Sequence, residues 1–220
     1  GLPGVALDGL PGNPSTDGTG YYQATVSSGW SGTVTPSKAG YTFSPTSRTY
    51  TNVTTNKPGE NYTATLLTYT ISGTIKAPDN SPVQGVTING LPHAPVTDES
   101  GSYSDTVNYG WSGTVMPSFG IRSFNPASRS YTNVTSNQTS QDYAMNVANL
   151  YVDDDAPSDP GPGNPDVSDP SADGSAWHPF DAIQKGINAA IPGDSVVILT
   201  GTYTGNGNRD IEFHGKAITV

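Results

Sequence analysis

The 220-residue chain carries 19 Asp plus Glu against only nine Lys plus Arg, giving a formal net charge of −10 and a pI near 4.4. That balance excludes the basic stripe a nucleic-acid partner requires and attraction to anionic membrane surfaces, and no run approaches the roughly 18 apolar residues of a membrane span. Without cysteine, neither disulfides nor thiolate metal sites nor cysteine chemistry are available.

The chain opens GLPGVALDGLPG. Gly1 and Gly4 keep the three-residue step of a collagen triple helix, but Gly9 and Gly12 fall out of phase with it, and the fold requires Gly at every third position without a break. The glycines and prolines punctuate short Val/Thr/Tyr-rich runs instead, as in an all-β chain.

A repeat explains them. GWSGTV at Gly29–Val34 returns at Gly110–Val115. The same register pairs FSPTSRTYTNVTTN (Phe43–Asn56) with FNPASRSYTNVTSN (Phe124–Asn137), Tyr62 with Tyr143, TDGTGYY (Thr16–Tyr22) with TDESGSY (Thr97–Tyr103) and GVALDGLPG with GVTINGLPH. The second copy starts with YTISGTIKAPDNSPVQ (Tyr69–Gln84), which has no counterpart in the first, so the chain is expected to begin inside a module. A period of this length suits a small sandwich domain and not a solenoid rung. The second copy predicts strands at Thr70–Ile75, Val86–Asn89, Ser102–Val107, Ser112–Met116, Ser130–Val134 and Gln141–Met145, with period-two alternation in YTISGTI and a positive-φ turn at Gly101.

After Met145 the texture changes. YVDDDAPSDPGPGNPDVSDPSADGS (Tyr151–Ser175) holds Asp, Pro and Gly without a basic residue. It reads as a solvated loop or linker. The alternative is a Ca²⁺ site built from hard oxygen ligands, with Asp153, Asp154, Asp155 and Asp159 as first candidates, although the spacing is not that of an EF-hand. Beyond it, Phe180, Ile183, Ile187 and Ile191 recur at helical spacing, predicting a helix from Pro179 to Ala190 that stops at Pro192-Gly193. SVVILTGTY follows as a buried strand, then RDIEFHG and KAITV as two shorter ones. Trp177 is expected to pack beside the helix.

Two resemblances follow. SGTI…PVQGVTI…TDESGSY (Ser72–Tyr103) and PSKAGYTFSPTSRTYTNV (Pro36–Val53) resemble the carboxypeptidase regulatory-like (prealbumin-like) β-sandwiches strung along bacterial secreted proteins. FDAIQKGINAAIPGDSVVILTGTY (Phe180–Tyr203) followed by GKAITV (Gly215–Val220) resembles the N-terminal cap of a right-handed parallel β-helix of the pectin-lyase-like kind. Together they imply an all-β chain with a sandwich repeat over residues 1–65, lacking its start, and a second over 66–146. An acidic linker over 147–178 and a capped β-helix start over 179–220 complete it. The cap helix would lay Ile183 and Ile187 over the open end of the coil.

The chemical motifs are sparse. GWSGT misses the G-x-S-x-G nucleophile elbow and sits in a predicted strand, and GNGNRD (Gly205–Asp210) misses G-x-G-x-x-G and opens no helix. His93, His178 and His214 show no metal-pair spacing, and His93, which stands where the first copy has Gly12, reads as a turn residue. Trp30 and Trp111 share one repeat position, where core packing is favoured over stacking on sugar rings. The N-x-[ST] triplets at Asn52, Asn61, Asn133 and Asn137 fit the Asn/Thr bias of β turns and would be glycan acceptors only in a eukaryotic secretory host.

The expectation is a non-catalytic segment of a large secreted or cell-surface bacterial protein, its sandwiches a spacer or stalk for a β-helix. The alternative makes the sandwiches accessory modules of a pectin-lyase-like polysaccharide lyase or hydrolase whose active site lies beyond residue 220. The expected partner is a polysaccharide or cell-surface glycan, and no catalytic residue is assigned within the chain.

Overall fold

The structure is a computed structural model and describes residues 1–154, 169 and 171–220. The chain is all-β with one short helix among the described residues. It forms two compact units: residues 1–69 with 107–111 and 132–136, and residues 70–106 with 112–131 and 137–220.

The first repeat contributes β1 (Ala6–Asp8), β2 (Trp30–Ser37), β3 (Tyr41–Ser44), β4 (Arg48–Val53) and β5 (Thr63–Leu66). They make two antiparallel sheets, ordered β1-β2-β4 and β3-β5. The second repeat contributes β6 (Thr68–Lys76), β7 (Thr87–Asn89), β8 (Ser102–Asn108), β9 (Trp111–Ser118), β10 (Phe124–Asn125), β11 (Arg129–Val134) and β12 (Tyr143–Met145). Its sheets run β11-β9-β7 and β10-β12-β6-β8, with β12 parallel to β6. This is β-sandwich architecture, and each strand predicted for the second copy is present.

Period-two patterning builds both copies. Along β2 and β9 the burial alternates identically: Trp30, Gly32, Val34 and Pro36 turn inward, as do Trp111, Gly113, Val115 and Pro117. Ile71 and Ile75 of β6 are fully buried, as are Val86 and Ile88; burying each such side chain is worth about 1.5–3 kcal/mol. The opening GLPG glycine has a steric reason. Gly9 and its counterpart Gly90 have φ of +96° and +90°, and a Cβ there would collide with the carbonyls of Thr33 and Thr114 on the neighbouring strand. Only a residue without a side chain fits both demands.

Beyond the sandwiches, β13 (Asn149–Val152), helix α1 (Ile183–Ala189) and β14 (Ser195–Ile198) follow. β13 and β14 pair in parallel from Asn149 opposite Ser195 to Val152 opposite Ile198, and Thr219 bridges Ser195 in parallel as a third pass. α1 covers the pair: Ile187 and Ala190 join Leu150, Val152 and Val196 in one buried cluster, flanked by Ile183, Tyr203 and Ile218. So β13 lies inside the stretch expected as linker.

Four local expectations are corrected. The helix starts at Ile183, not Pro179, because Phe180 is taken by β pairing: its N–H donates to the Tyr151 carbonyl and its own carbonyl accepts from Asp153 N–H. The strand begun at Ser195 ends at Ile198, since Tyr203 turns back and donates its hydroxyl to the Val152 carbonyl at 2.9 Å. RDIEFHG and KAITV form no strand beyond the Thr219 bridge, because Asp210, His214 and Gly215 adopt positive φ and break the extended run. Trp177 is 86% exposed and packs on nothing substantial.

The second sandwich and the helix-covered strands meet in one unit through Arg122 and Asp194. Arg122 Nη1 donates to the Asp194 carboxylate at 2.6 Å, and the two side chains are 5% and 0% exposed. Asp194 also accepts the N–H groups of Ala148 and Ile191, each at 2.8 Å. Removing one member of a buried pair strands the other charge, at a cost of about 3–5 kcal/mol. Arg122→Met should therefore lower unfolding stability in denaturant by roughly that amount. Glu212→Gln, which breaks only the exposed pair with His214, should cost less than about 1 kcal/mol.

Candidate functional site

The residues most concentrated in polar and aromatic chemistry form one cluster, built twice. In the first repeat the guanidinium of Arg48 lies 5.4 Å above the Tyr62 ring and donates to the Asn61 carbonyl at 2.9 Å. In the second, Arg129 lies 5.3 Å above Tyr143 and donates to the Asp142 carbonyl at 2.7 Å. Tyr22 donates to the Glu60 carbonyl at 2.5 Å, and Tyr103 to that of Gln141 at 2.6 Å. Tyr62 and Tyr143 each reach across to a β2 or β9 carbonyl, Val34 or Val115, at 3.2 Å. Tyr50 donates to the Glu60 carboxylate at 3.1 Å, and Tyr131 to the Gln141 amide oxygen at 2.9 Å. Every hydroxyl is spent on holding chain to chain.

The surroundings differ between copies. Tyr103 and Tyr143 are 3% and 2% exposed, whereas Tyr22 and Tyr62 are half-buried. In the first repeat two clefts of about 570 and 580 Å³ adjoin the cluster and share Tyr21, Tyr22, Lys57 and Glu60 in their walls. Glu60 forms an ion pair with Arg48 at 3.3 Å, where the second copy has neutral Gln141. Burial, reinforced by the neighbouring Tyr131, raises the Tyr143 phenol to about 12, and burial likewise raises Tyr22, Tyr50, Tyr62, Tyr103 and Tyr131. Such phenols are unsuited to proton transfer near neutrality.

Of the calcium candidates, Asp154 is buried. One of its carboxylate oxygens accepts the Thr202 N–H at 2.7 Å, while the other has no hydrogen-bond partner among the described residues and lies where a Cβ on residue 201 would be, a place left open by Gly201. Asp153 donates its backbone N–H to Phe180. Asp155 and Asp159 lie outside the described residues. Among the described residues no group of three His, Asp or Glu is placed to hold a metal.

Trp30 and Trp111 are half-buried at equivalent positions. Trp30 lies against Gly32 of its own strand, with its ring centroid 5.8 Å from that of Tyr50, which fits the packing role. The near-elbow serine Ser31 lies in β2 and accepts the Asn52 N–H at 2.9 Å.

One pair escaped the motif search. His93 Nδ1 lies 2.7 Å from the Asp105 carboxylate, which also accepts His93 N–H at 2.9 Å and Thr106 N–H at 2.7 Å. The imidazole is 75% exposed and the carboxylate 5%. The signal lay in the repeat itself, since both positions change together: the first copy has Gly12 and Ala24. Burial works against ionisation of Asp105, and the bonds from His93 and Thr106 outweigh it, holding the carboxyl below its ordinary value.

No protein-family model and no curated protein matches the chain.

The lowered Asp105 value sets a sign. Its stabilising contribution is present above the unfolded carboxyl value of about 3.9 and lost as pH falls through the lower folded one. Asp105→Ala with His93→Gly, which restores the first copy's pair, should flatten the fall of melting temperature on acidification below about pH 4. The raised phenols act in the opposite direction: their contribution holds below about pH 10 and is lost as pH rises through the folded values. The phenolate absorbance of these six tyrosines should therefore rise together with the loss of circular dichroism.

Proposed function

We propose that the chain is a non-catalytic segment of a secreted or cell-surface protein, in which prealbumin-like sandwiches act as spacer or stalk for a right-handed parallel β-helix capped by α1. The observation that carries this reading is the duplicated Arg–Tyr cluster. Its tyrosine hydroxyls are consumed on backbone carbonyls and neighbouring side chains, the use expected of a module selected for holding together. The parallel β13–β14 pair under α1, with Thr219 as the next pass, supports the β-helix half, since a helix over the first rung shields its apolar interior.

A second reading, accessory modules of a polysaccharide-degrading enzyme that grip glycan, is favoured by Trp177. Its exposed indole face is the kind of surface on which sugar rings stack. One experiment separates the two. Pectate, xylan and alginate oligosaccharides are titrated while tryptophan fluorescence and the release of reducing or unsaturated ends are followed. The spacer reading expects no change in either. A saturable fluorescence shift abolished by Trp177→Ala would transfer the assignment to glycan binding, and newly released ends would transfer it to catalysis.

A further inference from the structure

The register that pairs the two repeats carries on past the last strand of each sandwich. Leu67, between β5 and β6, stands where the second repeat has Ala148, and β6 starts at Thr68 where β13 starts at Asn149. The strand that opens the second sandwich and the strand that opens the helix-covered pair therefore leave from the same place. Each exit lies within one compact unit: residues 38–41, 67–69 and 107–111 in the first, and residues 119–122, 148–152 and 187–196 in the second.

A chain leaving a sheet must have its N–H and carbonyl met at the join, and the two exits meet them at the same residue. The Leu67 carbonyl accepts the Tyr109 N–H at 2.9 Å, and the Ala148 carbonyl accepts the Ser195 N–H at 3.0 Å. The Leu67 N–H donates to the Gly40 carbonyl, and the Ala148 N–H to the Asp194 carboxylate, each at 2.8 Å. Beside these bonds is an apolar seat. In the first exit it is formed by buried Gly40 and by Tyr69. The Tyr109 ring fills it, lying where a Cβ on Gly40 would have to go and with its centroid 6.4 Å from that of Tyr69. The same two positions in the second exit are Ile121 and Leu150, and both pack in the apolar cluster that Ile187 and Ala190 complete.

We infer that the exit end of the sandwich is a coupling site for the module that follows it, made of the exit carbonyl and the seat at residues 40 and 69 or 121 and 150. The partner it fits is a folded module that enters by a strand, brings an N–H at the approach to a further strand, and inserts an apolar group. The residue at 40 or 121 selects that group. Glycine leaves depth for an aromatic ring, where one added carbon would overpack, and isoleucine meets aliphatic side chains of a helix. The assignment goes beyond the spacer reading and holds equally if the modules grip glycan.

The test uses the whole chain, which has no cysteine. Thr35→Cys and Thr132→Cys, both exposed and both in the first unit, carry a spin-label pair across the first exit. Double electron–electron resonance should give one narrow distance distribution. Tyr109→Ser, which places there the residue type of Ser28 in the matching turn of the first repeat, should broaden it. The same variant should speed exchange of the Leu67 and residue-109 amides at least about tenfold, the equivalent of 1.4 kcal/mol. Tyr109→Phe keeps the ring and should match the parent. A broad distribution in the labelled parent would overturn the assignment, as would one that Tyr109→Ser leaves narrow. Loss of amide protection throughout β2 or β9 in Tyr109→Ser would overturn it too, by making the ring part of a sandwich core and not a coupler.

Discussion

The Asp194 carboxylate is the point on which the second unit turns. It is fully buried, so its charge must be met in place. Arg122 supplies the opposite charge from the sandwich, while the N–H groups of Ala148 and Ile191 supply hydrogen bonds from the start of β13 and the end of the helix segment. Such a group is worth most as a register device. A carboxylate without all its partners is costly in a low-dielectric interior, so arrangements that separate the sandwich loop from the β13 entry are disfavoured together. The Arg122 guanidinium reinforces this by also donating to the Ala189 carbonyl, an acceptor near the end of α1.

Within each sandwich the constraint is different. In the Arg–Tyr cluster Tyr62, next to β5, and Tyr143 of β12 donate across the sandwich to the Val34 and Val115 carbonyls of β2 and β9, while Tyr22 and Tyr103 donate to the Glu60 and Gln141 carbonyls. What changes is shielding: the phenols that are dry in the second repeat border open clefts in the first. The same side chains serve a closed core in one copy and the wall of a cleft in the other.

The repeat was legible because its register holds without a gap and because turns, strands and the GWSGTV signature recur in order. Its side-chain consequences were also readable in principle, since Arg48/Arg129 and Tyr62/Tyr143 are identical pairs. The junction was not. Arg122 and Asp194 are 72 residues apart, and the first copy has Tyr41 where the second has Arg122, so self-comparison offered no warning of an ion pair. PGD was recognised as a helix stop, which it is, but not that its Asp would be buried against an arginine. Helix length failed for a related reason: the 3.6-residue period extends back to Phe180, yet parallel pairing with β13 outcompetes one more helical turn. The short segments after Tyr203 read as strands by composition, and the positive-φ residues among them prevented it.

The pattern of sameness and difference between copies is itself informative. Positions that bond within a module are kept, including the Thr33–Thr49 and Thr114–Ser130 hydroxyl pairs at 3.1 Å. The segment after β2 and β9 is not kept: residues 38–41 read Lys-Ala-Gly-Tyr, and residues 119–122 read Phe-Gly-Ile-Arg. In the first copy the Gly40 carbonyl accepts the Leu67 N–H, and the absence of a Cβ on Gly40 lets the Tyr109 ring lie close. In the second, Ile121 packs on the buried cluster beneath α1 and Arg122 reaches Asp194. One loop position is thus the docking point in both modules, and its residues are set by what comes next in the chain. A glycine suits an aromatic neighbour that must lie flat, and an isoleucine–arginine pair suits a helix-covered sheet with a buried carboxylate. The interior of the module is built by its own strands, and the corresponding loop positions Gly40 and Ile121 carry different side chains because each meets a different neighbour.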